Sequence, residues 1–157
     1  MIIKRLYTKP IEGCYGEIFI DEKTNTVVKV FKKRKDLEKD FINNVYNSEL
    51  EAYEILKNIP GIIQYIPKYY GKIDLDKILD IDNKDISENY YLDFNFKLEY
   101  ISGHFQKYGN NSHTCEILKK FKNAGISYVK DCSAVLNEKK EPIKIIDFAT
   151  KEYVAKW

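Results

Sequence analysis

The chain has 157 residues, of which 44% are hydrophobic and 14% aromatic, and its formal net charge is +2. A chain of this length fits one domain, and its apolar content excludes intrinsic disorder. A charge of +2 is too small to imply nucleic-acid binding by itself, so no nucleic-acid partner is indicated, although polyanion binding is not excluded.

Cysteine usage and hydropathy indicate the compartment. Cys14, Cys115 and Cys132 are odd in number and lack metal-ligand spacing, which favours free thiols in a reducing environment. The N-terminus lacks the apolar core of a signal peptide, and we find no apolar run of about 18 residues that could cross a bilayer. We therefore expect a soluble cytoplasmic protein with no membrane partner. Frequent Lys, Asn, Ile and Tyr indicate an AT-rich genome, such as that of a large DNA virus or a host-dependent bacterium. If the protein is viral or a bacterial effector, the cytoplasm in which it works is that of the host.

The first predicted element is a β-hairpin. Residues 18–20 lead into a turn at 21–25, and the β-branched run at 26–31 follows. Gly13 and Gly16 precede this hairpin, and two glycines let backbone amides approach a ligand closely. A simple turn would show the same pair of glycines.

Lys29 has an unusual position in the second strand of that hairpin. With a period of two, Val27, Lys29 and Phe31 share one face, so the ammonium stands between two apolar side chains. Such a lysine needs an anionic partner in the protein or a ligand. Alternatively, the strand lies at a sheet edge and the lysine reaches water along its own stem.

Residues 36–57 are predicted to form an amphipathic helix. Its apolar residues recur at helical spacing: Ile42, Val45, Tyr46, Ala52, Tyr53 and Leu56. Glu49 falls on this apolar face, whereas Glu51 and Glu54 point elsewhere. An acid in an apolar stripe is costly unless it is paired. Lys29 and Glu49 could therefore neutralise each other if the helix packs on the sheet, or they could be unrelated and each partly exposed.

The middle of the chain contains two more predicted strands. One lies at residues 68–73, and the acidic, turn-rich stretch at 74–89 is interpreted as a surface excursion of variable structure. Apolar and polar residues then alternate strictly over 90–100, which is typical of a strand. Residues 101–103 form a plausible linker into a mainly helical second part.

The C-terminal third is predicted to contain a helix and a second hairpin. Ile117, Leu118 and Phe121 indicate an amphipathic helix over residues 113–124. A strand beginning at Val135 could pair with the apolar strand at 143–146, which delivers the acid Asp147 to its end.

Taken in order, six short motifs resemble those of a protein kinase. GCYGEIF resembles the second half of the glycine-rich loop, TVVK the strand with the phosphate-contacting lysine, and SELEAYEIL the helix with its glutamate partner. KLEYISG resembles the hinge between lobes, GISYVKDCSAVL the catalytic loop, and KIIDFA the metal-binding Asp-Phe-Gly segment. The resemblance extends over residues 7–150.

The resemblance implies an α+β, protein-kinase-like fold. Residues 1–157 would form a single minimal domain, a C-terminally truncated and degenerate member of the family. Residues 1–99 would be the N-lobe-like part, with an antiparallel sheet, one helix and the excursion at 74–89. After the hinge, residues 100–157 would form a much reduced helical C-lobe.

The same resemblance assigns nucleotide-binding roles to residues of the first part. Gly13 and Gly16 would cover the phosphates of the nucleotide, and Val27 would form the roof over its adenine. Lys29 would contact phosphate while paired with Glu49.

The hinge and the Asp-Phe-Gly-like segment would complete that site. Glu99 and Ile101 would offer backbone groups to the base, and Asp147 would hold Mg²⁺. The implied cofactors are therefore ATP and Mg²⁺.

Several positions depart from the family pattern. Ile11 replaces the first glycine of the loop, and the metal-binding asparagine of the family falls on Ala134. The catalytic aspartate falls on Val129 or Lys130, depending on the register chosen. Asp131 is the only acid nearby, and it could act as the catalytic base or simply form a turn.

Three functions fit these observations. The first is a pseudokinase that binds nucleotide and acts through a protein partner. The second is an active, atypical Ser/Thr protein kinase that uses Asp131 and Asp147. The third is a kinase-fold scaffold without nucleotide, whose functional surface is the acidic excursion.

Overall fold

The computed structural model describes residues 1–109 and 111–155 and has an α+β architecture. The helices are α1 (Lys39–Leu56) and α2 (Ser112–Asn123). The strands of the first hundred residues are β1 (Ile2–Lys4), β2 (Ile11–Glu12), β3 (Gly16–Asp21), β4 (Thr26–Lys32), β5 (Tyr69–Gly71), β6 (Lys77–Leu79) and β7 (Tyr90–Glu99). The later strands are β8 (Gln106–Lys107), β9 (Ser133–Leu136) and β10 (Pro142–Ile146).

The chain divides into two compact units. Unit 1 comprises Met1–Tyr46, Tyr70–Tyr100 and Ala155, and unit 2 comprises Asn47–Tyr69 and Ile101–Val154. The largest sheet has the strand order β2-β3-β4-β7-β5, and a two-stranded parallel sheet pairs β1 with β6. A third sheet, in unit 2, has the order β10-β9-β8. The predicted lobe boundary between residues 99 and 100 stays a prediction.

The predicted first hairpin is confirmed as the antiparallel pair β3 and β4, in which Ile18 lies opposite Lys29. The Asp21 carboxylate accepts hydrogen bonds from the backbone N–H groups of Lys23 and Thr24. Asn25 closes the turn with a φ of 55°, a left-handed conformation that asparagine tolerates better than most residues. The turn therefore sets the register of both strands.

Because β4 is the central strand, both faces of the large sheet are packed. One face, which we call the Lys29 face, carries Ile18, Val27, Lys29, Phe31, Phe96 and Leu98, as the strand pairing requires. The opposite face, which we call the Glu17 face, carries Glu17 with the buried residues Phe19, Val28 and Val30. The edge-strand interpretation of Lys29 is therefore wrong.

A buried carboxylate organises the Glu17 face. The Glu17 side chain is 1% exposed and accepts hydrogen bonds of 2.7 and 3.0 Å from the Arg5 guanidinium. The Tyr90 hydroxyl donates a third hydrogen bond of 2.6 Å to it. Arg5 follows β1 and Tyr90 begins β7, so a single buried acid ties three separated chain segments together.

Strand β7 is confirmed, but a β-bulge shifts its alternation. Val30 lies opposite Asn95 while the next residue, Phe31, lies opposite Tyr91. The buried Asn95 side chain donates hydrogen bonds to the carbonyls of Leu92 and Ile73 and accepts one from the Ile73 N–H.

The bulge divides the apolar residues of β7 between two clusters. Tyr90 and Leu92 pack with the apolar residues of the Glu17 face. Phe94 and Phe96 instead stack on Tyr46 of α1. The regular alternation of the sequence thus hides a change of face, because a bulge inverts the inward and outward sides of a strand.

The interpretation of residues 74–89 as a surface excursion requires correction. Strand β6 pairs in parallel with β1, and Ile78 and Ile86 are buried against Phe19 and Val28. The other acids of this stretch are exposed, whereas Asp80 is half-buried and its carboxylate accepts hydrogen bonds from the backbone N–H groups of Asp82 and Lys84 in a turn. The many acids conceal a short apolar pattern that covers the Glu17 face.

Both predicted helices are confirmed with narrower or shifted bounds. Helix α1 begins three residues later than predicted, and its predicted apolar stripe is buried. The Asn111 side chain caps α2 by accepting a hydrogen bond from the Thr114 N–H, and Gly125 follows the helix with a φ of 100°. Within the described part of the chain, no helix has the length and apolar content needed to span a membrane.

The expectation of a mainly helical second part is wrong. Within residues 101–109 and 111–155, α2 is accompanied by the antiparallel strands β8, β9 and β10. The predicted pairing of β9 with β10 is confirmed, and the Asn137 side chain accepts backbone N–H groups of Lys139 and Glu141 in the turn. Strand β8 is too short and polar to be recognised in the sequence.

We expect Arg5→Leu to lower the free energy of unfolding by about 3 kcal/mol, because it leaves the Glu17 charge buried without its cation. The triple variant Arg5→Leu/Glu17→Leu/Tyr90→Phe should be more stable than Arg5→Leu alone, since it removes the buried charge as well. Urea denaturation followed by circular dichroism measures the unfolding free energies of both variants. Equal losses in the two variants would contradict a dominant role for the buried charge.

Candidate functional site

Lys29 occupies the environment that its sequence position predicts. It is half-buried on the central strand between the buried residues Val27 and Phe31. Its ammonium nitrogen lies 5.3 Å from the centroid of the Phe31 ring, a cation–π distance. Ile18 and Phe96 flank it on the neighbouring strands. The ammonium therefore has an apolar surround on its own sheet face.

The path of the Lys29 side chain depends on Gly16. A Cβ atom at position 16 would lie 3.0 Å from Cε of Lys29 and 3.3 Å from the Val30 carbonyl oxygen. Both distances are shorter than ordinary van der Waals contacts, and the backbone oxygen cannot move aside easily. Glycine at position 16 thus makes room for the stem of the lysine.

Gly13 has a different role. A Cβ atom there would meet nothing within 4 Å. Its N–H donates a 2.9 Å hydrogen bond to the Gly16 carbonyl, and its own carbonyl accepts one of 3.2 Å from Lys32 Nζ. The predicted phosphate contact through Gly13 stays a prediction, and its amide is already used within the loop.

Two basic side chains hold the loop between β2 and β3. Lys32 forms a 2.7 Å ion pair with Glu12, and its backbone N–H donates to the Tyr15 carbonyl. Arg34 donates a 3.1 Å hydrogen bond to the Cys14 carbonyl. The loop is therefore fastened to the end of β4, the strand that carries Lys29.

Of the predicted base-binding residues, Val27 and Glu99 lie in the large sheet, and Ile101 lies beyond its strand β7. Val27 is buried opposite Leu98, and Glu99 ends β7 opposite Thr26. The Tyr100 N–H donates to the Asn25 carbonyl, so the backbone leaving β7 is fixed. Ile101 begins the second stretch of unit 2. Their nucleotide contacts stay predictions.

In unit 2, two predicted site residues act on one buried tyrosine. Burial raises the pKa of Tyr53 well above its ordinary value, and the negative charges of Asp147 and Glu49 raise it further. Tyr53 follows Glu49 by one helical turn, so the two share a face of α1. Glu49 and Asp147 are thereby brought to the same region of the unit. Lys29 belongs to unit 1, and its pairing with Glu49 stays a prediction.

Asp147 is exposed at the end of β10 with a φ of 66°. This left-handed conformation is unfavourable for a residue with a Cβ and persists where the surroundings enforce it. The residues that follow Asp147 hold its backbone in this conformation. Phe148 is buried against Tyr53 and Phe121, and Ala149 exchanges two backbone hydrogen bonds with Tyr128. The carboxylate is consequently held outward.

The segment that resembles a catalytic loop keeps Asp131 engaged. Its carboxylate accepts a hydrogen bond from the Tyr128 hydroxyl, and its carbonyl accepts one of 2.6 Å from Lys107 Nζ. Lys130 forms a 2.6 Å ion pair with Glu152. The predicted alternative of a turn-forming Asp131 is compatible with these contacts, and its catalytic role stays a prediction.

Two positions that the family resemblance aligns with an acid and an amide, Val129 and Ala134, are buried, whereas Lys130, the other position for the acid, is exposed. Val129 is buried, and Ala134 is 0% exposed within β9, between Gln106 and Ile145 on the neighbouring strands. An alanine has no donor or acceptor, and a buried strand position has no access to a ligand. No second metal ligand comes from this loop position.

Asp147 could hold magnesium only together with a ligand. The described residues contain no group of three or more His, Cys, Asp or Glu side chains placed to bind a metal ion. Mg²⁺ is commonly held by one or two carboxylates and the phosphates of a nucleotide. A single outward carboxylate fits that arrangement and does not fit a stand-alone metal site.

Several residues of these surroundings were missed in the sequence. Ile18 could have been found, because the turn at residues 21–25 places it opposite Lys29. Tyr53 could also have been found from its spacing to Glu49. Lys107 carries no such signal, because its contact with Asp131 joins residues that lie 24 positions apart.

No protein-family model, curated protein or solved structure matches the chain. The resemblance to protein kinases therefore rests on the residues described above.

We expect Asp147→Gly to raise the free energy of unfolding by about 1 kcal/mol, because glycine adopts a positive φ without steric cost. Lys140→Gly is the matched control, since Lys140 has a φ of 61° in the turn before β10. Thermal unfolding monitored by circular dichroism should show both variants to be stabilised. Destabilisation by Asp147→Gly alone would show that the carboxylate makes a stabilising contact.

The three cysteines should differ in reactivity. Cys14 is exposed, whereas burial and the charge of Asp147 raise the pKa of Cys132 from 9.0 to about 12. The thiolate is the reactive form. We expect iodoacetamide at pH 8 to label Cys14 rapidly and to spare Cys132, as measured by peptide mass spectrometry.

The same shift has a consequence for stability. The folded-state pKa of Cys132 lies above its ordinary value, so folding favours the neutral thiol. The contribution of this thiol to the free energy of unfolding is complete below pH 9 and is lost as the pH rises toward 12. Cys132→Ala should therefore flatten the alkaline decrease in unfolding free energy. For the iodoacetamide experiment, rapid labelling of Cys132 in the native protein at pH 8 would contradict its burial, and labelling of the protein unfolded in urea serves as the control.

Proposed function

We propose that the chain is a kinase-like domain that binds a nucleotide with Mg²⁺, lacks the ordinary apparatus of phosphoryl transfer and acts through a protein partner in the cytoplasm. The observation that carries this proposal is the half-buried ammonium of Lys29 on the central strand, lying against Gly16. A pseudokinase that retains nucleotide binding is the function that these residues support best.

The surroundings of Lys29 suit phosphate recognition. The attraction between an ammonium and an anion is stronger beside apolar side chains than in water. Val27 and Leu98 supply an apolar surface beside it on the same sheet face. A phosphate for the lysine and an apolar surface for a base are the two requirements of a nucleotide site.

Asp147 supports the magnesium part of the proposal. Its unfavourable φ keeps an exposed carboxylate at the end of a strand, and such strain is concentrated at functional sites. Magnesium bound to nucleotide phosphates needs only one or two further carboxylates. Asp147 would hold the ion, and the ion would neutralise phosphate charge.

The absence of ordinary transfer chemistry is supported by the catalytic-loop segment. Ala134 and Val129 are buried and apolar, so neither can orient a substrate hydroxyl or bind a metal ion. Asp131 is the remaining acid, and its carboxylate already accepts the Tyr128 hydroxyl.

A kinase-fold scaffold without nucleotide is the second candidate. It is favoured by the loop between β2 and β3, in which the Gly13 N–H and carbonyl are already bonded to Gly16 and Lys32. A loop fastened in this way has fewer amides to offer to a phosphate. A titration with ATP and Mg²⁺ distinguishes the two candidates, because only the first of them binds nucleotide.

Calorimetric titration with ATP and Mg²⁺ tests the proposal. We expect wild-type protein to bind, and we expect Lys29→Ala to weaken binding by about tenfold or more, because it removes a charge-assisted contact with phosphate. Lys97→Ala is the matched control, since Lys97 lies on a neighbouring strand and on the opposite sheet face. Asp147→Asn, which tolerates the same φ, should weaken binding only when Mg²⁺ is present.

Two results would contradict the proposal. Absence of binding by the folded wild-type protein would favour the scaffold. Transfer of phosphate from ATP that is lost in Asp131→Asn would instead identify an active, atypical kinase.

A further inference from the structure

A groove of about 370 Å³ lies in unit 1, away from Lys29 and Gly16. Lys33 and Lys39 line it together with the rings of Tyr91 and Phe94, and Glu88 and Asp93 also contribute to its walls. We call it the Lys33–Lys39 groove. None of these residues belongs to the nucleotide site proposed above.

The β-bulge of β7 creates this groove. Between Tyr91 and Asn95 the strand leaves its register with β4, so Phe94 turns toward α1 while Tyr91 stays beside it, with ring centroids 5.1 Å apart. Lys33 is fixed at the opposite side, where its backbone N–H donates to the Asn89 carbonyl. The groove is thus built from ordered backbone.

Two ammonium groups lie over the aromatic rings. Lys33 Nζ is 5.6 Å from the Tyr91 centroid, and Lys39 Nζ is 5.9 Å from Tyr91 and 5.8 Å from Phe94. Within the described ranges, neither lysine forms an ion pair with a carboxylate. Both side chains are exposed, so an incoming anion can reach them.

The position of Lys39 at the start of α1 is electrostatically unfavourable for a cation. Lys39 is the first residue of α1, where the helix dipole disfavours a cation and favours an acid. The dipole and the two ammonium groups each contribute positive potential here, while Asp40 in the first turn and the lining acids Glu88 and Asp93 contribute negative potential. An anionic group of a ligand would be attracted by the dipole and the two ammonium groups.

The other lining residues restrict the class of ligand. The aromatic rings offer an apolar floor, which suits a large apolar or aromatic side chain. Glu88 and Asp93 would repel a polyanion such as a nucleic acid strand, whereas a peptide can place a single carboxylate at the lysines and other groups elsewhere. Because the groove is lined by both lysines and acids, it is better suited to a peptide than to a nucleic acid strand.

We propose that the Lys33–Lys39 groove binds a peptide segment of a protein partner in which a carboxylate adjoins an aromatic or large aliphatic side chain. The carboxylate pairs with Lys33 and Lys39, and the apolar side chain packs on Tyr91 and Phe94. This inference goes beyond nucleotide binding and does not depend on it.

A peptide selection tests the inference. A displayed library of random ten-residue peptides is selected on the wild-type protein and counter-selected on the double variant Lys33→Glu/Lys39→Glu. We expect enrichment of sequences with Asp or Glu beside Phe, Tyr, Trp or Leu. The enriched peptides, labelled with fluorescein, should lose affinity by about tenfold or more in the double variant, as measured by fluorescence anisotropy.

Matched variants distinguish recognition from general charge. Lys35→Glu changes an exposed lysine of the same basic run that does not line the groove, and it should retain most of the affinity. Lys39→Glu should raise the melting temperature while weakening binding, because it places an acid at the start of α1. A purely structural role for Lys39 would not produce that combination.

Three outcomes would overturn the inference. One is the absence of enriched peptides, and another is enrichment of peptides that lack an acidic residue. The third is tighter binding of a fluorescein-labelled single-stranded oligonucleotide of ten thymidines than of the selected peptides, with loss in the double variant, which would make the groove a nucleic-acid site.

Discussion

The buried carboxylate of Glu17 is the constraint on which unit 1 depends. A buried charge must be compensated by neighbouring groups, and Arg5 and Tyr90, which lie 85 positions apart in the chain, provide that compensation for Glu17. Because side chains alternate along β3, fixing Glu17 on one face fixes Ile18 on the other. The position of the apolar surround of Lys29 is therefore decided by an interaction on the far side of the sheet.

The candidate residues of the two units are presented by different structural means, each described within its own unit. In unit 1, a glycine removes steric bulk so that a lysine stem can lie along the sheet. In unit 2, buried aromatic packing of Phe148 holds an aspartate in an unfavourable backbone conformation. Both devices orient a charge before any ligand arrives, which reduces the entropy lost on binding.

Local patterns were sufficient to predict the two helices and the longer strands, whereas the short strands and the faces of the long ones depended on long-range contacts. The hairpin of β3 and β4 follows from a turn and β-branched runs, and the burial of α1 follows from its apolar stripe. The bulge in β7 does not, because it depends on Asn95 bonding to Ile73, which belongs to a distant segment. Residues 74–89 were misjudged for a related reason, since only the pairing of β6 with β1 reveals that Ile78 is buried. Among the candidate residues, Lys29, Glu49 and Asp147 are distinguished by their positions in the sequence, whereas the contacts of Asp131 with Tyr128 and Lys107 are not.

The parallel pairing of β1 with β6 has a consequence for how the chain acquires its structure. Ile2 pairs with Lys77, and Arg5 donates a hydrogen bond to Tyr90, so β1 cannot form its contacts until the chain has been synthesised through Tyr90. Contacts of such sequence separation are slow to form, because the entropy of closing a long loop is lost before the contact rewards it. During synthesis on the ribosome, the N-terminal strand must therefore wait, with Ile2 and Ile3 unprotected, until the residues of β7 have emerged. Unit 1 would then form late and cooperatively, and association with chaperones during that interval would be an expected feature of its biogenesis.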